Sequence, residues 1–295
     1  MSTLCLPRIV DLRVTGACML RCPFCFGPPH EYPEAADPAF LDLFPKLRAL
    51  GVEGLVFTGG EPLLFAPLPE WLRIAKSQGF ITILSTNGLL LEDKLPALAP
   101  YLDWVGLPID GDSPDVVSSM RPRSPSSYLG ILLGLLHLLR TKHPSLRTKV
   151  QTVVSRLNME SIRGIPRLLA EAGAPTTWKM TQVACESEAS NNWKLLRIGP
   201  MDFYRVTRTA AREADRFGLS WAVFPRRKRN RRYLFIQPTG EVTVVAGGRE
   251  RSIGNALTDL EQVARAWTGL VTPSSMSRRT WLTAKRAGVE AKGLA

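Results

Sequence analysis

Short β-rich runs alternate with amphipathic helical patterns over roughly the first 185 residues, and this alternation limits the possible folds more than any other feature. A chain that repeats strand and helix in this order builds a parallel sheet covered by helices. Six such units predict an α/β fold, a partial (β/α)6 TIM-like barrel. The predicted strands are Ile9 to Val14, Gly54 to Thr58, Phe80 to Ser85, Trp104 to Ile109, Thr148 to Val154 and Thr177 to Gln182. The predicted helices are Pro38 to Leu50, Leu68 to Gln78, Ser126 to Arg140 and Met159 to Ala172.

The pattern changes after Gln182 and predicts a small C-terminal α/β extension. The sequence predicts a loop from Cys185 to Asn192, a helix from Met201 to Phe217 and a hairpin around Pro238, Thr239 and Gly240. The hairpin strands are Tyr233 to Ile236 and Glu241 to Val245, and a last helix covers Asp259 to Thr268. We therefore expect a core barrel over residues 1–185, a substrate-covering extension over 186–272 and a loosely ordered tail over 273–295.

Hydrophobic patterning gives no sign of a secreted or membrane-spanning chain. The N-terminus lacks a basic segment followed by a long apolar run, and the most apolar stretch, Leu129 to Leu139, is too short to span a bilayer. The five cysteines form an odd set with three of them within eight residues, which suits a reducing compartment better than a disulfide framework. We expect a cytoplasmic protein that does not bind membranes.

The formal net charge of +12 favours anionic partners, either nucleic acid or a phosphorylated small molecule. Charge alone does not choose between them, and a solvated surface is the alternative for the main basic run. That run is Arg226, Arg227, Lys228, Arg229, Arg231 and Arg232, with further arginines at Arg278, Arg279 and Arg286.

Three cysteines, Cys18, Cys22 and Cys25, follow the first predicted strand, at the barrel end where such enzymes place their chemistry. Three thiolates can bind three irons of a [4Fe-4S] cube and leave the fourth iron open to another ligand. The alternative is a structural zinc site in which His30 is the fourth ligand.

A second motif, Thr58-Gly59-Gly60-Glu61-Pro62, follows the second strand and therefore lies on the same rim. Adjacent glycines let the backbone approach a ligand closely, and Glu61 can accept hydrogen bonds from a ligand ammonium. A zinc knuckle has no use for such a loop. Together the two motifs favour the cluster over zinc.

The order CxxxCxxC, then GGEP, resembles the radical S-adenosylmethionine (SAM) superfamily over roughly residues 8 to 185. The resemblance implies that the open iron chelates the methionine end of SAM. An electron from the cluster then splits SAM to methionine and a 5′-deoxyadenosyl radical, which removes a hydrogen atom from the substrate. It also implies a reductase or a flavodoxin- or ferredoxin-type electron donor.

The resemblance assigns SAM contacts to further positions. Phe24 matches an aromatic that packs near the adenine, although a simple core role is the alternative. Ser85 and Asn87 end the third strand where the family places polar groups for the ribose. Arg121 matches an arginine that pairs with the SAM carboxylate, for which a planar guanidinium is well shaped.

Asp110 lies in Pro108-Ile109-Asp110-Gly111, which occupies a Ser-x-Asp-Gly-like position of the family. Pro108 stands where serine is common, so this chain has no hydroxyl to offer there.

Beyond the core, Trp178-Lys179-Met180-Thr181-Gln182 resembles the Trp-Lys-x-x-Gln of the viperin family, which dehydrates a nucleoside triphosphate. A basic stretch ending in Tyr233, a hairpin and Ser252-Ile253-Gly254-Asn255 follow in similar order. The resemblance implies that Lys179 points into the barrel and, with part of the basic run, neutralises a triphosphate. The viperin C-terminal lid and N-terminal amphipathic helix have no convincing counterpart here.

The competing interpretation is epimerisation or cyclisation of an aminosugar, an antibiotic precursor or a ribosomal peptide, as in natural product biosynthesis. The hairpin followed by Ile-Gly-Asn also occurs in radical SAM proteins of that kind, which carry extra clusters on cysteines. Val244 to Gly248 contains no cysteine, so we expect a single cluster. An epimerase needs a hydrogen donor, and Cys185 is the candidate, with an inert buried cysteine as the alternative. A nucleic-acid-binding Fe-S module is a third, non-catalytic reading, and the intact SAM motifs argue against it.

Overall fold

The computed structural model describes residues 4–270. Its strands are β1 Ile9–Arg13, β2 Gly54–Thr58, β3 Ile81–Ser85, β4 Trp104–Pro108, β5 Arg147–Val154, β6 Thr177–Gln182, β7 Trp221–Phe224, β8 Leu234–Ile236, β9 Glu241–Ala246 and β10 Arg249–Asn255. Its α-helices are α1 Ala39–Ala49, α2 Leu68–Ser77, α3 Leu91–Leu98, α4 Pro114–Met120, α5 Tyr128–Lys142, α6 Ile165–Glu171, α7 Glu188–Asn191, α8 Trp193–Leu196, α9 Pro200–Arg216 and α10 Leu260–Leu270.

All the strands belong to one sheet, in the order β10-β9-β8-β1-β2-β3-β4-β5-β6-β7. Neighbours from β1 to β7 pair in parallel, β8 pairs in parallel with β1, and β9 and β10 are antiparallel. The expected α/β fold with a partial parallel barrel is confirmed. Strands of the C-terminal extension continue the sheet at both edges, so they share its framework with residues 1–185. The predicted tail over 273–295, with its three arginines, lies outside the described residues.

The helices cover the outer face of the sheet and form the main hydrophobic core with it. In α2, for example, Leu68, Trp71, Leu72 and Ala75 are buried at the i, i+3, i+4 and i+7 spacing of one helical face. Among the helices of residues 4–270, none is long and apolar enough to cross a membrane. The apolar run of α5 instead packs into this core.

A separate small cluster fills the other face of the sheet. Ile9, Val56, Ile83 and Trp104 from four adjacent strands pack together there and close the amino-terminal end of the barrel interior. At the next inward-facing position, two residues further along β4, Gly106 pairs with Lys149 of β5, and the interior becomes polar. The site therefore lies between an apolar floor and the carboxyl ends of the strands.

Several elements differ from the sequence prediction. The patterning gave no strand at β7 or β10 and no helix at α3 or α4, and the predicted loop at 185–192 contains the short helix α7. The helix predicted from Met159 begins at Ile165, after a 3-10 turn. Its delay has a physical cause, because the Asn158 side chain donates to the carbonyls of Val153 and Asp110 and holds the connection as a turn.

Candidate active site

The loop that carries the three cysteines follows β1 directly and lies at the carboxyl edge of the sheet. Within it, the amide of Cys25 donates to the carbonyl of Cys22 at 3.0 Å. The amides of Leu20 and Gly27 lie 3.4 Å from the sulfur atoms of Cys18 and Cys25. The Arg121 guanidinium lies 3.5 Å from the Cys22 sulfur. Each sulfur therefore has a positive or N–H neighbour, which favours a thiolate.

Burial opposes that ionisation in the absence of a cation. It raises the pKa of Cys22 to about 11, although Arg121 acts in the opposite direction, and burial also raises the pKa of Cys18. Bound iron would supply the compensating charge. The three thiols form no disulfide.

The donor set fits a [4Fe-4S] cluster better than zinc. Within residues 4–270, no three His, Cys, Asp or Glu side chains converge on a point where one metal ion could sit. A cluster does not need that convergence because each sulfur binds a different iron. The proposed fourth zinc ligand, His30, has its Nδ1 2.9 Å from the Arg21 side chain.

The glycines of the second motif allow its loop to lie against the cysteine loop. The Gly60 amide donates to the Thr15 carbonyl and the Glu61 amide to the Ala17 carbonyl, both at 2.7 Å. A Cβ on Gly60 would lie 2.2 Å from the Ala17 oxygen, and one on Gly59, whose φ is +138°, would lie 2.4 Å from the Thr15 oxygen. Side chains at these two positions would force the loops apart.

Glu61 joins the end of β2 to the end of β3. Its Oε1 accepts from the Thr86 hydroxyl at 2.6 Å and the Leu63 amide at 3.0 Å, and its Oε2 accepts from the Asn87 amide at 2.7 Å. The side chain is fully buried, and burial raises its pKa against these hydrogen bonds, which lower it. The carboxylate thus fixes the rim beside the cysteines, and its contact with a ligand ammonium stays a prediction.

The third-strand residues face the same region. The Asn87 side-chain nitrogen Nδ2 lies 3.0 Å from the Met19 sulfur and 3.9 Å from the Cys18 sulfur, and the Tyr128 hydroxyl donates to the Asn87 backbone carbonyl. The Ser85 hydroxyl lies 3.7 Å from where a Cβ of Gly106 would be, on the interior face of the sheet. Asn87 thus lies close to the cysteine loop, and the ribose contacts of Ser85 and Asn87 stay predictions.

Asp110 and Arg121 form a buried pair beside Cys22. Asp110 Oδ2 accepts from Arg121 Nε and Nη2, each at 2.7 Å, and its Oδ1 accepts from the Val153 amide at 2.8 Å. Burial disfavours the charged guanidinium, but Asp110 and Cys22 outweigh it and raise the pKa of Arg121. The Arg121 guanidinium also lies 5.1 Å above the Phe24 ring. Phe24 therefore supports Arg121, a role that the sequence did not indicate.

Lys179 lies inside the barrel, with 5% of its surface exposed. Its ammonium donates to the Tyr233 hydroxyl at 2.9 Å and lies 4.2 Å from the Phe224 ring centroid. The lysine on β6 thus contacts Tyr233, the residue before β8, across the barrel interior. It therefore does not reach solvent at the rim.

The basic run does not act as one surface. Arg229 is buried and pairs with Glu186 at 3.0 Å, while the Arg227 side chain donates to the Tyr204 hydroxyl. Burial raises the pKa of Glu186, and Arg229 opposes that shift. The paired charges of Arg229 and Glu186 offset each other within the protein.

Sequence reasoning missed a further ion pair in the interior, between a buried arginine and a half-buried glutamate. Arg13, the last residue of β1, donates to Glu250 at 2.7 Å and to the Phe26 carbonyl at 2.7 Å, and its guanidinium lies 4.1 Å from the Phe235 ring centroid. A charged residue ending an otherwise buried strand was the available signal. Its partner lies 237 residues away, which no local pattern could indicate.

Three buried polar atoms around the interior have no hydrogen-bond partner within residues 4–270. They are Thr181 Oγ1, Arg229 Nε and Gln237 Oε1. Thr181 shares the interior face of β6 with Lys179, since side chains two apart on a strand point the same way. Unsatisfied buried polar atoms are costly, so their position favours a polar ligand in the barrel.

Cys185 is half-buried and lies three residues beyond the end of β6, at the carboxyl edge of the sheet. It is adjacent in sequence to Glu186 of the buried pair. This places a thiol near the barrel mouth without assigning it a function.

Comparison with known sequences gives a consistent family. The Radical SAM superfamily profile matches residues 12–165, more than half of the chain. A relative from Selenomonas ruminantium named "S-adenosylmethionine-dependent nucleotide dehydratase" is 25% identical over 85% of this chain and 90% of its own length. One of the same name from Lacinutrix mariniflava is 31% identical over 59% of this chain but 38% of its own length. A "GTP 3′,8-cyclase" from Chlorobaculum tepidum is 35% identical over 55% and 50% respectively. The chain thus spans at most half of these last two relatives.

Solved structures share the fold at low sequence identity. Streptococcus suis SuiB bound to precursor peptide SuiA has a TM-score of 0.70, 16% identity, and coverage of 91% of this chain and 65% of that one. The enzyme anSMEcpe, bound to AdoMet and a peptide, has a TM-score of 0.63, 15% identity, and coverage of 92% and 84%. This chain belongs to the radical SAM superfamily, whose enzymes use a [4Fe-4S] cluster and S-adenosylmethionine.

Proposed function

We propose that this radical SAM enzyme dehydrates a nucleotide, as viperin does. The observation that carries the proposal is the buried ammonium of Lys179. Within residues 4–270 its hydrogen-bond partner is the Tyr233 hydroxyl, and none of the ion pairs joins it to a carboxylate. A buried cation without a counter-charge is costly unless a ligand supplies one. A substrate phosphate group would do so.

The relatives support the same substrate class. The nucleotide dehydratase from Selenomonas ruminantium aligns over nearly the whole of both chains. The GTP 3′,8-cyclases that match here are also named for a nucleotide substrate. The unpartnered Thr181 hydroxyl provides a further polar group beside Lys179.

We assign the cluster to Cys18, Cys22 and Cys25. The residues that we propose to contact SAM are Phe24, Gly59, Gly60, Glu61, Ser85, Asn87, Asp110 and Arg121. The cluster and SAM, when bound, would supply a 5′-deoxyadenosyl radical able to remove the hydrogen atom from the ribose C4′. Hydroxide then leaves as water with one added proton, and the remaining substrate radical takes one electron. A reductase or a flavodoxin- or ferredoxin-type protein would supply that electron.

Residues 186–270, the described part of the proposed substrate-covering extension, would line the other side of the substrate. Tyr233 reaches Lys179 from this segment, and within the same segment Glu186 pairs with Arg229. The two segments share one sheet, so the division that we propose at residue 185 is one of function and not of separate folding units.

The test is anaerobic incubation of the cluster-loaded, dithionite-reduced protein with SAM and each nucleoside triphosphate in turn. Mass spectrometry reads 5′-deoxyadenosine and substrate-derived products. We expect one nucleotide to stimulate SAM cleavage strongly and to yield a product lighter by one water. Slow cleavage that no nucleotide stimulates would reject the nucleotide and retain the radical chemistry.

Lys179→Met tests the residue that carries the proposal. In this variant the substrate phosphate would lose its buried positive partner. KM for the nucleotide should therefore rise by about 30-fold or more, with the cluster intact. Lys46→Met, on the exposed face of α1, removes the same charge and should leave KM unchanged. An unchanged KM in the Lys179 variant would remove Lys179 from the substrate site.

A second candidate is epimerisation or cyclisation of an aminosugar, an antibiotic precursor or a ribosomal peptide. The half-buried thiol of Cys185 at the barrel mouth favours it, because an epimerase needs a hydrogen donor close to the substrate radical. The buried, uncompensated charge of Lys179 favours the nucleotide, so we rank dehydration first.

A further inference from the structure

A cavity of about 560 Å³ opens near the carboxyl ends of β5, β6 and β7. Three arginines line it: Arg156 follows β5, Arg197 follows α8, and Arg226 follows β7. The other lining residues are Met159, Trp193, Ile198, Gly199, Pro200 and Asp202. We call this cavity the arginine pocket.

The pocket carries excess positive charge. None of its three arginines forms an ion pair with another residue of the described chain. Its single acidic lining residue, Asp202, is 3.5 Å from the Arg205 side chain, which partly offsets its charge. Three guanidinium groups around one cavity repel each other, and a multivalent anion would relieve that repulsion.

Arg226 is held in position before any ligand arrives. Its guanidinium lies 5.0 Å from the Trp193 ring centroid, and its amide donates to the Gln182 side chain at 3.0 Å. Gln182 in turn donates to the Ile198 carbonyl at 3.1 Å. A planar guanidinium fixed in this way binds phosphate oxygens at a lower entropic cost than a free one.

The wall of the pocket includes the beginning of α9, a 17-residue helix. Its N-cap, Gly199, provides no side-chain hydrogen bond to the first turn. The positive end of the helix dipole therefore adds to the charge of the arginines.

The pocket lies outside the barrel interior. Lys179 and Thr181 face inward on β6, so Gln182, the next residue, faces the opposite side of the sheet. Gln182 contacts the pocket residues Ile198 and Arg226. The two cation sites are thus on opposite faces of the same strand.

We propose that the arginine pocket is a second binding site, for an oligophosphate group, separate from the site at Lys179. The group belongs either to a nucleotide or to a free inorganic oligophosphate. The proposal does not depend on which substrate the radical attacks. Three arginines, a fixed guanidinium and a helix N-terminus together match a chain of phosphates better than a single carboxylate.

Isothermal titration of the cluster-loaded protein with inorganic triphosphate tests the site directly. We expect Arg156→Ala and Arg226→Ala each to weaken binding by about tenfold or more, as the loss of a charge-assisted contact predicts. Lys228→Ala is the matched control, since it removes the same charge from an exposed position of the same basic run. Arg226→Ala also removes the contact with Trp193 and could therefore disturb folding. Arg156→Ala is the second variant because Arg156 is exposed, so its loss should not affect folding.

A Lys179→Met background separates this proposal from the proposed function. Inorganic triphosphate should still bind there with wild-type affinity, and a nucleoside triphosphate should bind at least as tightly if its phosphates enter the pocket. Triphosphate binding that is lost in Lys179→Met but retained in both arginine variants would overturn the pocket and leave the nucleotide dehydratase intact. If Lys228→Ala and Arg226→Ala weakened triphosphate binding equally, the effect would come from surface charge in general. That result would also overturn the proposed pocket.

Discussion

The part of the barrel mouth that we propose for the cofactor, the cofactor half, and the part that we propose for the substrate, the substrate half, are built in different ways. In the cofactor half, backbone groups of the cysteine loop and of the GGEP loop hydrogen-bond directly, and glycines permit the approach. In the substrate half, long side chains from distant segments meet, as Lys179 meets Tyr233 and Arg13 meets Glu250. Close backbone contacts restrict the loop positions to residues without a Cβ, such as Gly59 and Gly60. Contacts between long side chains allow other residue types at the same positions.

The largest expected effect comes from the cluster itself. Cys22→Ala removes a thiol that lies beside Arg121, and a cube held by two cysteines should not be retained. We expect loss of bound iron and sulfide and complete loss of 5′-deoxyadenosine formation. Cys5→Ala, remote from the loop in sequence, should keep both. Full activity in the Cys22 variant would contradict the assignment of the cluster to this loop.

Gly60→Ala tests whether the cofactor half depends on backbone contact. Its Cβ would overlap the carbonyl oxygens of Ala17 and Gly16, at 2.2 and 2.4 Å, so the two loops would have to separate. We expect a loss of about 1–3 kcal/mol in the free energy of unfolding and poor cluster loading. Denaturant titration measures the free energy of unfolding, and the iron content measures cluster loading.

Gly130→Ala is the matched control, because a Cβ there meets nothing within 4 Å and the residue lies in α5. It should be neutral or slightly stabilising, since alanine favours helix. A Gly60 variant that loads its cluster as well as the Gly130 variant would show that the loops do not need their close contact.

The same difference explains what the sequence could predict. Strands β2 and β6 lie at their predicted bounds, because continuous buried runs mark parallel strands. Strand β10, Arg249–Asn255, was not predicted because it has no buried residues and is held by its backbone pairing with β9. Strand β7 was missed because its four residues are all half-buried and show no alternation.

The site divides in the same way. Spacing in the sequence placed the cysteines and the GGEP loop on one rim, because each follows a strand of a parallel sheet. The partners of Lys179 and Arg13 lie 54 and 237 residues away, and only the fold brings them together. The basic run was predicted as one group, yet the structure separates Arg229, paired with Glu186, from Arg226 in the arginine pocket.

The smallest expected effect tests the substrate half. Cys185→Ala replaces a half-buried thiol at the barrel mouth and should cost about 1 kcal/mol of stability at most. A dehydratase needs no hydrogen donor, so product yield per 5′-deoxyadenosine should stay unchanged, as mass spectrometry would show.

An epimerase would instead lose its product while SAM cleavage continued, because the substrate radical could no longer be quenched. Cys185→Ser separates these outcomes from a packing effect, since the hydroxyl preserves the shape but is a much poorer hydrogen-atom donor. Uncoupling in both variants would therefore move the substrate half from nucleotide dehydration to epimerisation, while the cofactor half remained as described.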